Sequence, residues 1–126
     1  MIITDVEQGW QSKVNFTDCN DVFVGFDTAQ DCCEDAGYFI SKLKDEAYQY
    51  SGNECLSDNI DGYVFDVTFF ENVDSSDLDD GGQVCFRLTK PGFDDLYLHL
   101  YNSHNGYYSH GFEAKIGGEL WVDGGI

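Results

Sequence analysis

The chain has 126 residues, enough for one domain with a real core. Hydrophobic residues make up 42% and aromatics 16%, which excludes a disordered tail, and no apolar run nears the ~20 residues of a membrane span. Against 24 Asp+Glu stand 6 Lys+Arg, a net charge of -18 that repels nucleic acid and anionic membranes and favours basic partners.

The opening MIITDVEQGW has no basic n-region and no apolar h-region, so no secretory signal is expected. Trp10–Thr17 alternates around Val14 and Phe16 and, across the turn-rich DCND, reads with Val22–Asp27 as a first β-hairpin. Asp31 with Glu34 resembles a capping box and predicts a helical turn through Cys32–Ala36. Ser41–Tyr50 predicts a short helix, with Leu43, Ala47 and Tyr50 on one face and Gly52 as its stop. Further strands are expected at Tyr63–Val73, Gln83–Lys90, Leu96–His104, Tyr107–Ile116 and in the closing ELWV. The fold class is α+β: six to seven mostly antiparallel strands, open to curling into a partial barrel, with one or two short helices in a single domain, 1–126.

Asn105-Gly106 is a strong two-residue hairpin signal and predicts that Leu96–His104 pairs with Tyr107–Ile116. Strict pairing would set Leu96 and Leu98 against Lys115 and Glu113. A bulge at Gly111 would cure this and bring Phe112, Ala114 and Ile116 inside with Leu96, Leu98 and Leu100. The other face would then gather Tyr97, His99, Tyr101, Tyr108, His110 and Glu113, with His99 and His110 about 7 Å apart. His99, Tyr101 and His110 are therefore the ligand or metal candidates.

The acids are unevenly placed. Val14–Ser41 holds six acids and no base, and Asp45–Phe86 holds eleven acids and no base. Glu71, Asp74, Asp77, Asp79 and Asp80 form the densest group, with Asp58 and Asp61 expected behind them. Such a run can stand in for nucleic-acid phosphates. A folded surface of about 6,800 Å² leaves roughly 280 Å² per carboxylate. B-DNA offers on the order of 110 Å² per phosphate, so mimicry requires the acids to cluster on one face.

Neither 74–82 nor the SDNIDG segment keeps the spacing of a calcium loop. No GxSxG, HExxH, P-loop or dinucleotide fingerprint occurs, so neither an enzyme nor a cofactor is expected. The cysteines, Cys19, Cys32, Cys33, Cys55 and Cys85, are odd in number and include no CxxC. They read as reduced, structural thiols in a cytosol.

The QDCCE segment (Gln30–Glu34), the FVGFD stretch before it and the HNGYYSHGF hairpin (His104–Phe112) together resemble a family of small uncharacterised domains of bacteriophages and bacteria. The resemblance implies a phage or prophage context and carries no known activity. With the charge, it leads to one expectation: a small acidic interaction protein in the host cytoplasm. It would inhibit a host defence or nucleic-acid-binding protein, of anti-CRISPR or anti-restriction type, through a DNA-mimicking face. The partner would be a basic host protein rather than nucleic acid or membrane. The contact falls to Glu71, Asp74, Asp77, Asp79, Asp80, Asp58 and Asp61. The alternative is a small-ligand or metal-binding module on the His/Tyr hairpin.

Overall fold

Alternating side chains make strands, and the pattern is strict enough here to build two sheets. The computed structural model describes residues 1–9, 11–29, 35–49, 51–73, 82–103 and 110–126. Its strands are β1 (Ile2–Gln8), β2 (Gln11–Thr17), β3 (Val22–Asp27), β4 (Asp35–Ser41), β5 (Val64–Asn72), β6 (Gly82–Thr89), β7 (Leu96–Ser103), β8 (Gly111–Ile116) and β9 (Glu119–Gly125). One sheet has the order β1-β2-β3-β8-β9 and the other β4-β7-β6-β5, and the pairings recorded are antiparallel.

The sheets face each other across one core. Val14, Phe16, Val24, Phe26 and Ala114 come from the first; Ile40, Val84, Phe86, Leu88, Leu98 and Leu100 come from the second. Aromatic rings lock the layers: Phe16 meets Tyr38 edge-on at 5.0 Å, Phe86 meets Trp121 at 5.5 Å and Phe70 meets Phe112 at 5.8 Å. Phe86 is fully buried, and its truncation to Ala should cost about 3–5 kcal/mol.

Among the described residues the architecture is therefore all-β, not α+β, and no barrel closes. Among the described residues the only helical element is a 3-10 turn, Ser57–Asn59. The helix expected over Ser41–Tyr50 does not form, because side chains of the sheet claim its backbone groups. The Tyr48 N–H goes to the Gln83 side chain and the Gln49 N–H to Asn53, while the Glu46 and Leu43 carbonyls accept from Gln83 and His99. Tertiary bonding overrides a weak local propensity. Asp35 and Ala36, expected at a helical turn, lie in β4.

β4 and β5 occupy opposite edges of their sheet, so the connection between them has to traverse it. Residues 42–49 run as a strap over the sheet's outer face. Leu56 N–H then bonds the Ile40 carbonyl on the free edge of β4 at 2.8 Å, which covers part of that edge. Ile60 and Tyr63 tuck into the core at one end of the sandwich.

The hairpin expected across Asn105-Gly106 does not form either. β7 pairs with β4 and β6, and β8 pairs with β3 and β9, so the two strands belong to different sheets. β7 buries both faces, Leu98 and Leu100 on one and His99 on the other, and that demands a central place with cover on each side. Gly111 lies opposite Gly125 without a bulge; the irregularity falls between Ala114 and Lys115 instead. Phe112 and Ala114 do turn inward as expected, but Ile116 stays 38% exposed.

Candidate functional site

A groove with mixed apolar and charged lining lies at the end of the sandwich where β5 begins. Lys90-Pro91-Gly92-Phe93 is a tight turn in which the Phe93 N–H bonds the Lys90 carbonyl at 3.1 Å. Gly92 has φ 80°, the left-handed value that glycine supplies at this place in a Pro-Gly turn. The turn throws the Phe93 ring outward, 61% exposed. Tyr63 O–H donates to the Asp94 carbonyl at 2.7 Å and so ties the turn to the 56–63 segment. Between the two segments lies a groove of about 500 Å³. Its apolar lining is Leu56, Tyr63, Phe93 and Leu96; Lys42, Lys90, Asp58, Asp61 and Asp94 supply its charge. The Lys90 stem crosses Gly62, where a Cβ would come within 3.1 Å of Cε. Its ammonium rests 4.2 Å above the Phe93 ring and 6.0 Å from the Tyr63 ring.

A second constellation is buried beneath the strap. The Tyr48 N–H donates to Gln83 Oε1 at 2.9 Å, and Gln83 Nε2 donates to the Glu46 carbonyl at 2.8 Å. Those fixed backbone roles set the orientation of the amide. The other Nε2 hydrogen then faces His99 Nδ1 at 3.0 Å, so Nδ1 is bare. The ring proton sits on Nε2 and is donated to the Leu43 carbonyl at 3.1 Å, with Ser41 Oγ beside it at 3.2 Å. The imidazole stacks on Phe39 at 4.5 Å. Burial pushes its pKa down from 6.5 to about 4, against the opposing pull of the Leu43 carbonyl and Asp45. The line Ser41–His99–Gln83 has the outline of a nucleophile, a base and an orienting group, but its proton is on the wrong nitrogen. Nε2–H cannot take the Ser41 proton. Its chemistry is structural: it pins the strap. Burial likewise raises the neighbouring Cys85 thiol to about 12, an inert group.

Residues 1–114 match the family described as "Domain of unknown function (DUF7448)". The chain belongs to that family. No curated protein and no solved structure matches it. The matched span takes in the groove and the buried network and stops inside β8.

Of the residues expected at a site, Asp58 and Asp61 line the groove and are exposed. Glu71 is also exposed but sits at the far end of β5, so these acids do not stand behind it. Asp74, Asp77, Asp79 and Asp80 lie outside the described residues, as do Asp31–Glu34 with Cys32 and Cys33, the Asn105-Gly106 turn, Tyr108 and most of the quoted family segments. His99 and Tyr101 share one face of β7, both against the Phe39 ring, but His110 does not join them. His99 is fully buried in one sheet. His110 lies just before β8 of the other, and its Nδ1–H donates to the Asp27 carbonyl at 2.7 Å. Tyr101 packs against Tyr48 at 4.5 Å, and burial raises its hydroxyl to about 12. Among the described residues no three His, Cys, Asp or Glu side chains gather to hold a metal ion, and no helix is long and apolar enough to cross a membrane.

Sequence reasoning missed Lys90, Phe93 and Tyr63. An aromatic directly after Pro-Gly was the available signal, since a turn has little else to do with such a ring. It also passed over Arg87, the sole arginine. Asp66, Val67, Thr68 and Phe69 stand opposite it in a wide bulge of β5. Its guanidinium lies 4.2 Å over Phe69 and bonds Asp66 and the Tyr97 hydroxyl at 3.3 Å each.

Proposed function

We propose that the protein is a small acidic interaction protein of phage type, acting in the host cytoplasm. It inhibits a host defence or nucleic-acid-binding protein, of anti-CRISPR or anti-restriction kind, by offering carboxylates where that protein expects phosphates. The observation that carries this reading is how little of the acid is neutralised within the fold. Eighteen carboxylates lie among the described residues, and thirteen are exposed. Basic side chains within 4.0 Å occur for Asp66 and Asp95 at Arg87, Glu113 at Lys115 and Asp27 at His110.

Density supports the reading only locally. A surface of 7234 Å² shared by 24 carboxylates is roughly 300 Å² each, too sparse to imitate a duplex all round. The groove end is denser: Asp58, Asp61, Asp94 and Asp95 are exposed on two adjacent loops. Their partner is a basic groove that ordinarily takes nucleic acid.

Capture from host lysate at low and at high salt tests the proposal, because exposed charges are screened within about 10 Å at 0.1 M. Two reversed variants separate the acidic regions: Asp58, Asp61 and Asp94 to Lys, and Asp74, Asp77 and Asp79 to Lys. One of them should slow association with the captured partner by about tenfold or more. Capture that ignores salt, or association rates unchanged in both variants, overturns the reading.

A further inference from the structure

Within the groove, a cation already sits where a partner's could. Lys90 lays its stem over Gly62 and holds its ammonium 4.2 Å above an aromatic ring that is otherwise open to water. Asp58, Asp61 and Asp94 line the same groove, yet none of the three has an ion pair among the described residues. Carboxylates and the faces of two aromatic rings are the groups that recognise a guanidinium, and Leu56 and Leu96 offer apolar lining for its aliphatic stem.

Resting on the acidic-surface reading, we propose that this groove receives an arginine side chain of the basic partner, and that Lys90 is its resident stand-in, displaced on binding. With Lys90 seated, three carboxylates face two ammonium groups, Lys42 and Lys90. With Lys90 swung out, only Lys42 opposes them, so the vacated groove attracts a cation more strongly than the occupied one. An arginine suits the place better than the lysine it replaces. Its planar head stacks on a ring and bonds a carboxylate at the same time, which a compact ammonium cannot do.

Anisotropy of a labelled oligo-arginine peptide, at low and at high salt, tests this on the whole chain. Phe93→Ala removes an exposed ring and should leave the fold intact while weakening binding about two- to fivefold. Lys90→Met and Lys13→Met each remove one positive charge, but only the first opens the groove. Lys90→Met should tighten binding by roughly twofold or more beyond Lys13→Met. Equal responses to the two lysine changes, together with a silent Phe93→Ala, overturn the groove while leaving the acidic reading standing. Peptide that fails to bind any variant even at low salt overturns both. A weaker Lys90→Met, with the fold unchanged by circular dichroism, makes Lys90 a contact for an anion and overturns the proposal.

Discussion

Gln83 presents an amide hydrogen to His99 Nδ1 across 3.0 Å, and in doing so decides which form of the imidazole fits. A protonated ring would turn an N–H toward that amide hydrogen. Relief would require the amide to flip and abandon both Tyr48 and Glu46, its two anchors on the strap. The neutral histidine is thus a clasp holding residues 42–49 against the sheet.

Acid should open that clasp. The folded pKa is depressed from 6.5 to about 4, so the unfolded chain binds the extra proton first as pH falls. Stability is complete above about 6.5 and is lost progressively toward about 4, by on the order of 3 kcal/mol. Protonating carboxylates relieves self-repulsion over part of the same range, so the comparison needs a control. Urea midpoints between pH 7.5 and 4 for the native chain and for His99→Gln should diverge, with the variant's slope flatter. Parallel curves would rule out the clasp.

Gln83→Ala strips partners from the Tyr48 N–H, the Glu46 carbonyl and His99 Nδ1 in a buried place. A cost of about 3 kcal/mol is expected. The Tyr48 amide should lose its protection against hydrogen exchange while the amides of β2 and β3 keep theirs. Uniform loss across the sandwich would mean that the strap is not a separable unit.

Arg87 is 29% exposed at its side chain, so its ion pair with Asp66 counts for little alone. Its seat over Phe69 and its bonds to Asp66 and Tyr97 act together. Arg87→Met should destabilise by about 1–2 kcal/mol in chemical denaturation. Arg87→Lys should restore less than half of that, because an ammonium cannot span Asp66 and Tyr97 while stacking on the ring. Full restoration by lysine would reduce the site to plain charge.

Thiol labelling should divide the cysteines by burial. Cys19 and Cys55 are exposed and should be alkylated in the native protein. Cys85 is fully buried and pushed up to about 12, and should label only after denaturation. This narrows the reading of the cysteines as structural thiols to Cys85 among the described residues. Mass spectrometry of the labelled peptides reads each residue separately, and native labelling of Cys85 would contradict its place beneath the strap.

Strand by strand, the sequence spoke for itself wherever one face is dry and the other wet. Gln11–Thr17 and Val22–Asp27 alternate, are joined by a short polar turn, and pair as their pattern implies. The acid excess was equally legible, because charge is a property of composition. What alternation cannot show is the neighbour a strand takes. β7 reads as half of an Asn-Gly hairpin, yet burying Leu98 and His99 on opposite faces places it between β4 and β6. That choice separated His99 from His110 and dissolved the patch expected of them. Ser41–Tyr50 reads as a helix because propensity counts only local bonds; Gln83 and His99, 35 and 56 residues from the backbone groups they bond, offered better ones. The groove has the same origin. Lys90, Phe93, Asp58 and Asp61 belong to two unremarkable turns, and they meet because the sandwich brings the start of β5 and the end of β6 to one end of the molecule. Period and composition set each strand's faces; pairing and loop placement depended on burying all the apolar faces at once, which no single segment specifies.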